Sequence, residues 1–230
     1  MTPKALVAEL IGTFTLCFVG IASGIVAPQF GIAAPAFAHG LIVTGLIFTY
    51  IHISGAHFNP AVTVGLLVGR KIEPIPAIAY ILTQFVGGVI AAYLIVFLIG
   101  GADNALMLEF VGGAENFNFG QTVGFLTENH VWKAAVIEGI LIFLLLTTIY
   151  QSAVYEKAGI NAAISIGLTL AALIFATGAM TGASINPART LGPALAAGDL
   201  SYLIPYFVGL FGGAIVAGAV HGYFFVPEEG

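Results

Sequence analysis

Long apolar runs, broken by short clusters of Gly, Pro, Asn and charge, extend along the whole chain. A helix needs roughly 20 apolar residues to cross a bilayer, and six runs reach that length: 4–27, 35–53, 74–99, 131–153, 160–180 and 201–226. The pattern predicts an all-α membrane protein with six transmembrane helices. The first run is too long for the apolar region of a signal peptide and carries Glu9 within it. Two shorter apolar stretches, 62–69 and 191–197, follow the same triplet, Asn-Pro-Ala, and cannot span.

The triplet belongs to an internal repeat. At an offset of 127 residues, HGLIVTGLIF (39–48) lies over IGLTLAALIF (166–175), and SGAHFNPA (54–61) over TGASINPA (181–188). Nearby offsets pair Glu9 with Glu138 and Gly87-Gly88 with Gly212-Gly213. Each half holds three spans, so the second copy enters the membrane from the opposite face. The chain is expected to be one channel domain, 1–230, built from two inverted repeats of about 1–110 and 128–230. Such repeats place their site near the midplane, at the ends of broken helices.

Asn is among the best N-caps and Pro is favoured at the first helical position, so Asn-Pro-Ala reads as a helix start. Two half-helices, one per repeat, would meet N-terminus to N-terminus near the midplane. Non-helical backbone leading to them is tolerated there only if buried or lining a watery cavity. Capping occupies the oxygens of Asn59 and Asn186 and leaves their amide N–H₂ groups to donate into a lumen. Each half-helix N-terminus also carries roughly half a positive charge. The pair favours the oxygen of a neutral molecule and repels cations and protons. Arg189 lies in the first turn of the second half-helix, against its dipole, and is expected to add a second barrier.

Composition narrows the class. The chain is 59% hydrophobic and 7% charged, with mean hydropathy +1.05; soluble domains carry about 25% charged residues. Net charge is −5, without a basic run for nucleic acid. The single cysteine, Cys17, allows no intrachain disulfide and is read as apolar filler. No nucleophile triad, metal-ligand spacing, phosphate loop or dinucleotide fingerprint appears, so neither enzyme chemistry nor a metal or cofactor is expected. Lys4, Arg70, Lys71 and Lys157 fall on one side of the six spans, and the acidic 100–130 connection on the other. That asymmetry puts both termini in the cytoplasm, here of a protein of the cell membrane. Gly20/Gly24 and Gly209/Gly213 have the small-xxx-small spacing of close helix packing.

These residues together resemble the aquaporin (major intrinsic protein) family over essentially the whole chain. The carriers are Glu9 and Glu138, HISGAHFNPAVT (52–63) and TGASINPARTLGPA (181–194). The resemblance implies a right-handed six-helix bundle with two re-entrant half-helices, a pore in each subunit, and a homotetramer. It makes Asn59, Pro60, Ala61, Asn186, Pro187 and Ala188 the mid-pore motifs, with Glu9, Glu138 and His57 bracing the half-helices. Its selectivity filter carries over to His39, Ile174, Ala183 and Arg189, a set similar to the plant tonoplast intrinsic protein branch rather than to orthodox water channels. The implied permeants are water and small neutral solutes such as ammonia, hydrogen peroxide and urea. Glycerol facilitators usually place Asp after the filter Arg where this chain has Thr190, although Pro205 is more typical of that branch.

Three other readings stand beside the water channel. One is a glycerol-facilitator-like channel. Another is a secondary transporter, which would need Glu9 or Glu138 as a coupling site or proton relay. The last is a membrane-junction protein with a closed pore. His130, in the connection before the fourth span, is read as a solvated loop histidine, and residues 112–130 as lacking long regular structure.

Overall fold

In hydrocarbon every backbone polar group must be satisfied within the protein, so apolar runs of this length fold as helices. The computed structural model describes residues 2–227. It places six helices long and apolar enough to span among them: α1 (Pro3–Ile25), α2 (Ala33–Ser54), α4 (Pro74–Ile99), α5 (Val131–Ile149), α6 (Ala162–Thr181) and α8 (Leu203–Ala219). The half-helices are α3 (Pro60–Val68) and α7 (Pro187–Ala197). The described residues contain no strand. Met1 and 228–230, included in the expected single domain, lie outside the described residues. At 1.5 Å per residue the half-helices are about 14 and 17 Å long, near half the roughly 30 Å hydrocarbon core.

Local chemistry sets the ends. Thr2 Oγ1 caps α1 by accepting from the Ala5 N–H at 3.3 Å, with Pro3 at the first helical position. Gly55 (φ 85°) and Gly182 (φ 79°) end α2 and α6 in the left-handed region, turning the chain back into the bilayer. A Cβ on Gly182 would also collide with Thr122 and Val123. α5 and α8 each finish in a π-helical turn, Tyr150–Val154 and Val220–Phe224.

Helix pairing is the same in the two halves: α1 packs on α2 and α4, and α5 on α6 and α8. The repeats are joined by α2 against α6 and by exchange of the half-helices, α3 lying on α8 and α7 on α4. Lipid tails are as apolar as side chains, so helices associate by close packing of small residues rather than by hydrophobic burial. Gly40 of α2 meets Gly167 of α6, where an added Cβ would stand 2.7 Å from the Gly167 carbonyl oxygen. Gly209 and Gly213 press on the carbonyls of Ala135 and Gly139 in α5, as their spacing predicts.

Two glycine readings change. Gly20 and Gly24 face the side chains of His39 and Arg189 rather than the backbone of another helix. The repeat register at the glycine pair shifts by one residue. Gly87 faces the carbonyl of Leu10, which follows Glu9, while Gly213 faces that of Gly139, which follows Glu138. Gly213, not Gly212, is the counterpart of Gly87. Large apolar side chains such as Ile75, Leu82, Phe97, Leu168 and Ile204 point outward, as a lipid-facing surface requires.

A Gly213→Val variant is expected to lose about 1–3 kcal/mol of stability from overpacking against α5. Gly212→Ala has nothing within 4 Å of the new Cβ and should be neutral or stabilising. Thermal unfolding of the detergent-solubilised protein separates the two.

Candidate functional site

The stretches that enter the bilayer without helical hydrogen bonds, 55–58 and 182–185, form the frame of the site. Alternate residues hold positive φ: Ala56 (55°) and Phe58 (49°) in the first, Ala183 (42°) and Ile185 (58°) in the second. Such a conformation costs a non-glycine residue about 1–3 kcal/mol, most for β-branched Ile185. Two carboxylates over-determine it. Glu9 Oε1 accepts from Ser54 Oγ (2.6 Å) and the His57 N–H (3.0 Å), and Oε2 from the Phe58 N–H (2.7 Å) and Gln84 Nε2 (2.7 Å). Glu138 Oε1 accepts from Thr181 Oγ1 (2.7 Å) and the Ser184 N–H (2.9 Å), and Oε2 from the Ile185 N–H (2.8 Å). Hydrogen bonds to a charged group are worth about 1.5–3 kcal/mol each, enough to hold the strained backbone. With these N–H groups turned outward, the opposite edge of each stretch faces an internal cavity whose wall includes Gly55 to Phe58, Ser184 and Ile185.

The half-helices meet tip to tip. Asn59 Oδ1 caps α3 by accepting from the N–H groups of Ala61 (2.9 Å) and Val62 (3.4 Å). Asn186 Oδ1 caps α7 in the same way, from Ala188 (2.9 Å) and Arg189 (3.4 Å). Each amide then donates across the repeat boundary, Asn59 Nδ2 to the Ile185 carbonyl at 2.8 Å and Asn186 Nδ2 to the Phe58 carbonyl at 3.0 Å. Capping alone would leave both hydrogens of each amide to the lumen; the structure uses one of each pair to lock the tips together. Both asparagines lie on the cavity wall. Pro60, Ala61, Pro187 and Ala188 form the buried first turns behind them.

Arg189 and His39 stand together at one end of this cavity. His39 Nδ1 lies 2.7 Å from the Pro35 carbonyl, which only accepts, so Nδ1 carries the proton. Nε2 is then free to accept from Arg189 Nε at 3.3 Å. Arg189 Nη1 donates to the Gly120 carbonyl (2.6 Å) and Nη2 to that of Gly20 (3.2 Å). Three of the five guanidinium N–H groups are thus anchored, and the other two meet no protein acceptor among the described residues. A Cβ on Gly20 would collide with the imidazole, which is why α1 carries glycine there.

The remaining wall is apolar, contributed by residues such as Val43, Ile47, Leu66, Leu145, Ile149 and Leu170. His57 also lines it, its Nδ1 3.1 Å from Thr63 Oγ1. Ile174 and Ala183, 2% and 4% exposed, are not part of the wall. Glu9 and Glu138 are fully buried behind the re-entrant stretches and off the wall. His130 is exposed where α5 begins.

Several participants escaped the sequence reading. Gln84 was signalled by being the amide in an otherwise apolar span. Leu16, on the wall, and the Gly20 and Gly120 carbonyls carried no such signal. Behind Arg189, Thr190 Oγ1 meets Ser184 Oγ and accepts from Thr122 Oγ1 at 3.3 Å.

A family model described as Major intrinsic protein matches residues 1–221. The chain is 35% identical over 240 residues to Probable aquaporin TIP1-2 of Oryza sativa subsp. japonica, covering 99% of this chain and 89% of that protein. It is 37% identical over 222 residues to Nodulin-26 of Glycine max, covering 93% and 76% respectively. Its architecture matches the X-ray structure of the aquaglyceroporin from Plasmodium falciparum with a TM-score of 0.80 over 97% of each chain. At 21% identity that last likeness is one of fold.

Glu138→Leu leaves the Ser184 and Ile185 N–H groups without an acceptor, at about 1–3 kcal/mol for each buried donor. The variant should melt well below Glu138→Gln, which keeps one oxygen, and should lose osmotic permeability. Wild-type melting and flow in Glu138→Leu would show that the carboxylate does not brace the stretch.

Proposed function

From the premise that the chain belongs to the major intrinsic protein family, we propose that this integral membrane channel passes water and small neutral solutes, among them ammonia, hydrogen peroxide and urea. The carrying observation is the crossed pair of contacts from Asn59 to Ile185 and from Asn186 to Phe58. It holds two helix N-termini together on one cavity wall and leaves one amide N–H of each asparagine for a passing oxygen. A cation reaching this point meets two positive helix ends and, beyond them, Arg189. Among the described residues it finds no carboxylate on the wall to replace its hydration. A neutral molecule loses little against the apolar side and hydrogen-bonds to the other.

His39, Ile174, Ala183 and Arg189 are the proposed filter. His39 supplies a flat, neutral hydrogen-bonding side chain beside Arg189 on the cavity wall; Ile174 and Ala183 are buried behind that wall and add no bulk to it, which leaves room for solutes larger than water. Asn59, Pro60, Ala61, Asn186, Pro187 and Ala188 form the mid-pore element, braced by Glu9, Glu138 and His57. We take 1–230 as one channel domain of two repeats, about 1–110 and 128–230, that assembles as a homotetramer. It lies in the cell membrane with both termini cytoplasmic, following the side on which Lys4, Arg70, Lys71 and Lys157 gather.

A glycerol-conducting reading finds less support. Thr190, where glycerol facilitators usually carry Asp, is buried and bonded to neighbouring hydroxyls. A coupled transporter would require a carboxylate within reach of the permeant, and Glu9 and Glu138 are committed to backbone N–H groups away from the wall.

Stopped-flow measurements on proteoliposomes test the proposal. Wild type should pass water, ammonia and urea with no proton-driven uptake. His39→Phe should reduce urea flux about tenfold or more, equivalent to a barrier raised by about 1.4 kcal/mol, while water flow persists. Arg189→Val should admit cations. Wild type that passes water but excludes ammonia, peroxide and urea would overturn the wide filter.

A further inference from the structure

α5 has a second functional-looking face, turned away from the conduit. Its conduit side carries Leu145 and Ile149, with Ala153 in the turn beyond. The other side carries Phe143, Thr147 and Gln151, which with Val220, His221 and Phe225 line a separate open groove between α5 and α8. The groove lies where both helices end in π-helical turns, at the end of the bundle that bears Arg70, Lys71 and Lys157. Such turns are uncommon and recur at functional sites.

The floor of the groove is polar. Thr147 Oγ1 donates to the Phe143 carbonyl (2.9 Å), so its oxygen receives the N–H of His221 Nε2 at 2.9 Å. His221 Nδ1 is then an acceptor, with Gln151 Nε2 3.4 Å away. Among the described residues, the Gln151 side-chain oxygen and its second N–H have no protein partner. Polar groups facing hydrocarbon carry a cost that a bound polar ligand would relieve.

The rim is basic. The Lys157 backbone N–H donates to the Gln151 carbonyl at 3.2 Å, which keeps the backbone of this exposed lysine next to a groove residue. Lys71 Nζ stands 5.0 Å from the centre of the Tyr155 ring, whose hydroxyl donates to the His221 carbonyl. Arg70 lies 5.4 Å over Tyr223 in the same π-helical turn as His221. Glu156, beside Lys157 in the segment that follows the π-helical turn of α5, is their acidic neighbour. From Gln151 to Phe143 the groove descends about 12 Å into the bilayer at the helical rise, the depth of the upper part of an acyl chain. Basic pockets between helices on the cytoplasmic side are a recognised setting for anionic headgroups.

We propose that the α5–α8 groove binds an anionic glycerophospholipid of the adjoining leaflet. One acyl chain lies along Phe143, Val220 and Phe225, the ester region meets the Gln151 amide, and the phosphate pairs with Lys157 and Lys71. The site is independent of the conduction reading, because no residue of the groove lines the conduit.

The test is lipid retention by the full chain taken from phosphatidylcholine bilayers doped with phosphatidylserine, counted by native mass spectrometry. Wild type should retain phosphatidylserine over phosphatidylcholine, and raised salt should weaken the preference. Lys71→Gln and Lys157→Gln should each reduce it by roughly fivefold, the effect of about 1 kcal/mol per cation near the surface. Gln151→Leu should lower retention without abolishing the charge preference. Osmotic flow at the wild-type rate shows that each variant is folded; Lys157→Glu, at an exposed turn, replaces any variant that is not. Equal retention of the two lipids by wild type would overturn the site. So would a preference that survives loss of both lysines, or one abolished instead by Lys4→Gln.

Discussion

A polypeptide that enters a bilayer without forming a helix must still satisfy its backbone, and two buried carboxylates make that possible here. Glu9 and Glu138 collect the N–H groups of His57, Phe58, Ser184 and Ile185 on one edge of each re-entrant stretch. Because the N–H groups all turn one way, the stretches present their other edge to the cavity. The apolar wall opposite, the placement of the asparagines and the accessible end of Arg189 all follow from that choice of edge. Remove the acceptors and the left-handed residues Phe58 and Ile185 lose the bonds that fix their N–H groups, leaving only the asparagine contacts to their carbonyls.

Glycine plays two parts that the chain does not distinguish by spacing. At Gly40, Gly167, Gly209 and Gly213 its lack of a side chain lets helix backbones approach, which replaces the hydrophobic drive absent between helices in lipid. At Gly20 it makes room for an imidazole and contributes its own carbonyl to a guanidinium. The second part builds the polar end of the conduit. Arg189 can sit against its helix dipole because three neighbours from separate segments share its donors: α1, α2 and the connection between α4 and α5.

The two repeats are alike in scaffold and different in detail. Gln84 gives Glu9 a fourth donor and bridges to Thr63 at 3.0 Å, whereas Glu138 has three donors and a chain of hydroxyls runs from Ser184 through Thr190 to Thr122. One end of the cavity carries Arg189 and His39; the other, at the far end of α2, carries Gly55 and Ala153. On that second side the half-helix α3 is tied down from its C-terminal end, where Tyr150 Oη donates to the Gly65 carbonyl (2.9 Å) and Tyr223 Oη to that of Val68 (3.2 Å). The matching contacts thus set where the half-helices meet, and the differences between the two halves set the chemistry at each end of the cavity.

Much of this was readable from the chain. Span lengths, helix caps and the doubled Asn-Pro-Ala depend on local composition and nearby residues, so the six spans and both half-helices lie within a few residues of expectation. The pairing of Glu9 with Glu138 was visible as a repeated charge in oil. Other features rest on atoms brought together from far apart. The carbonyls that take one hydrogen of each asparagine, the Gly20 and Gly120 oxygens on Arg189, and the one-residue shift that matches Gly87 with Gly213 all depend on which backbones touch. A carbonyl looks the same at every position of a sequence. Only packing decides which one meets a donor, and so which hydrogens are left for a passing molecule.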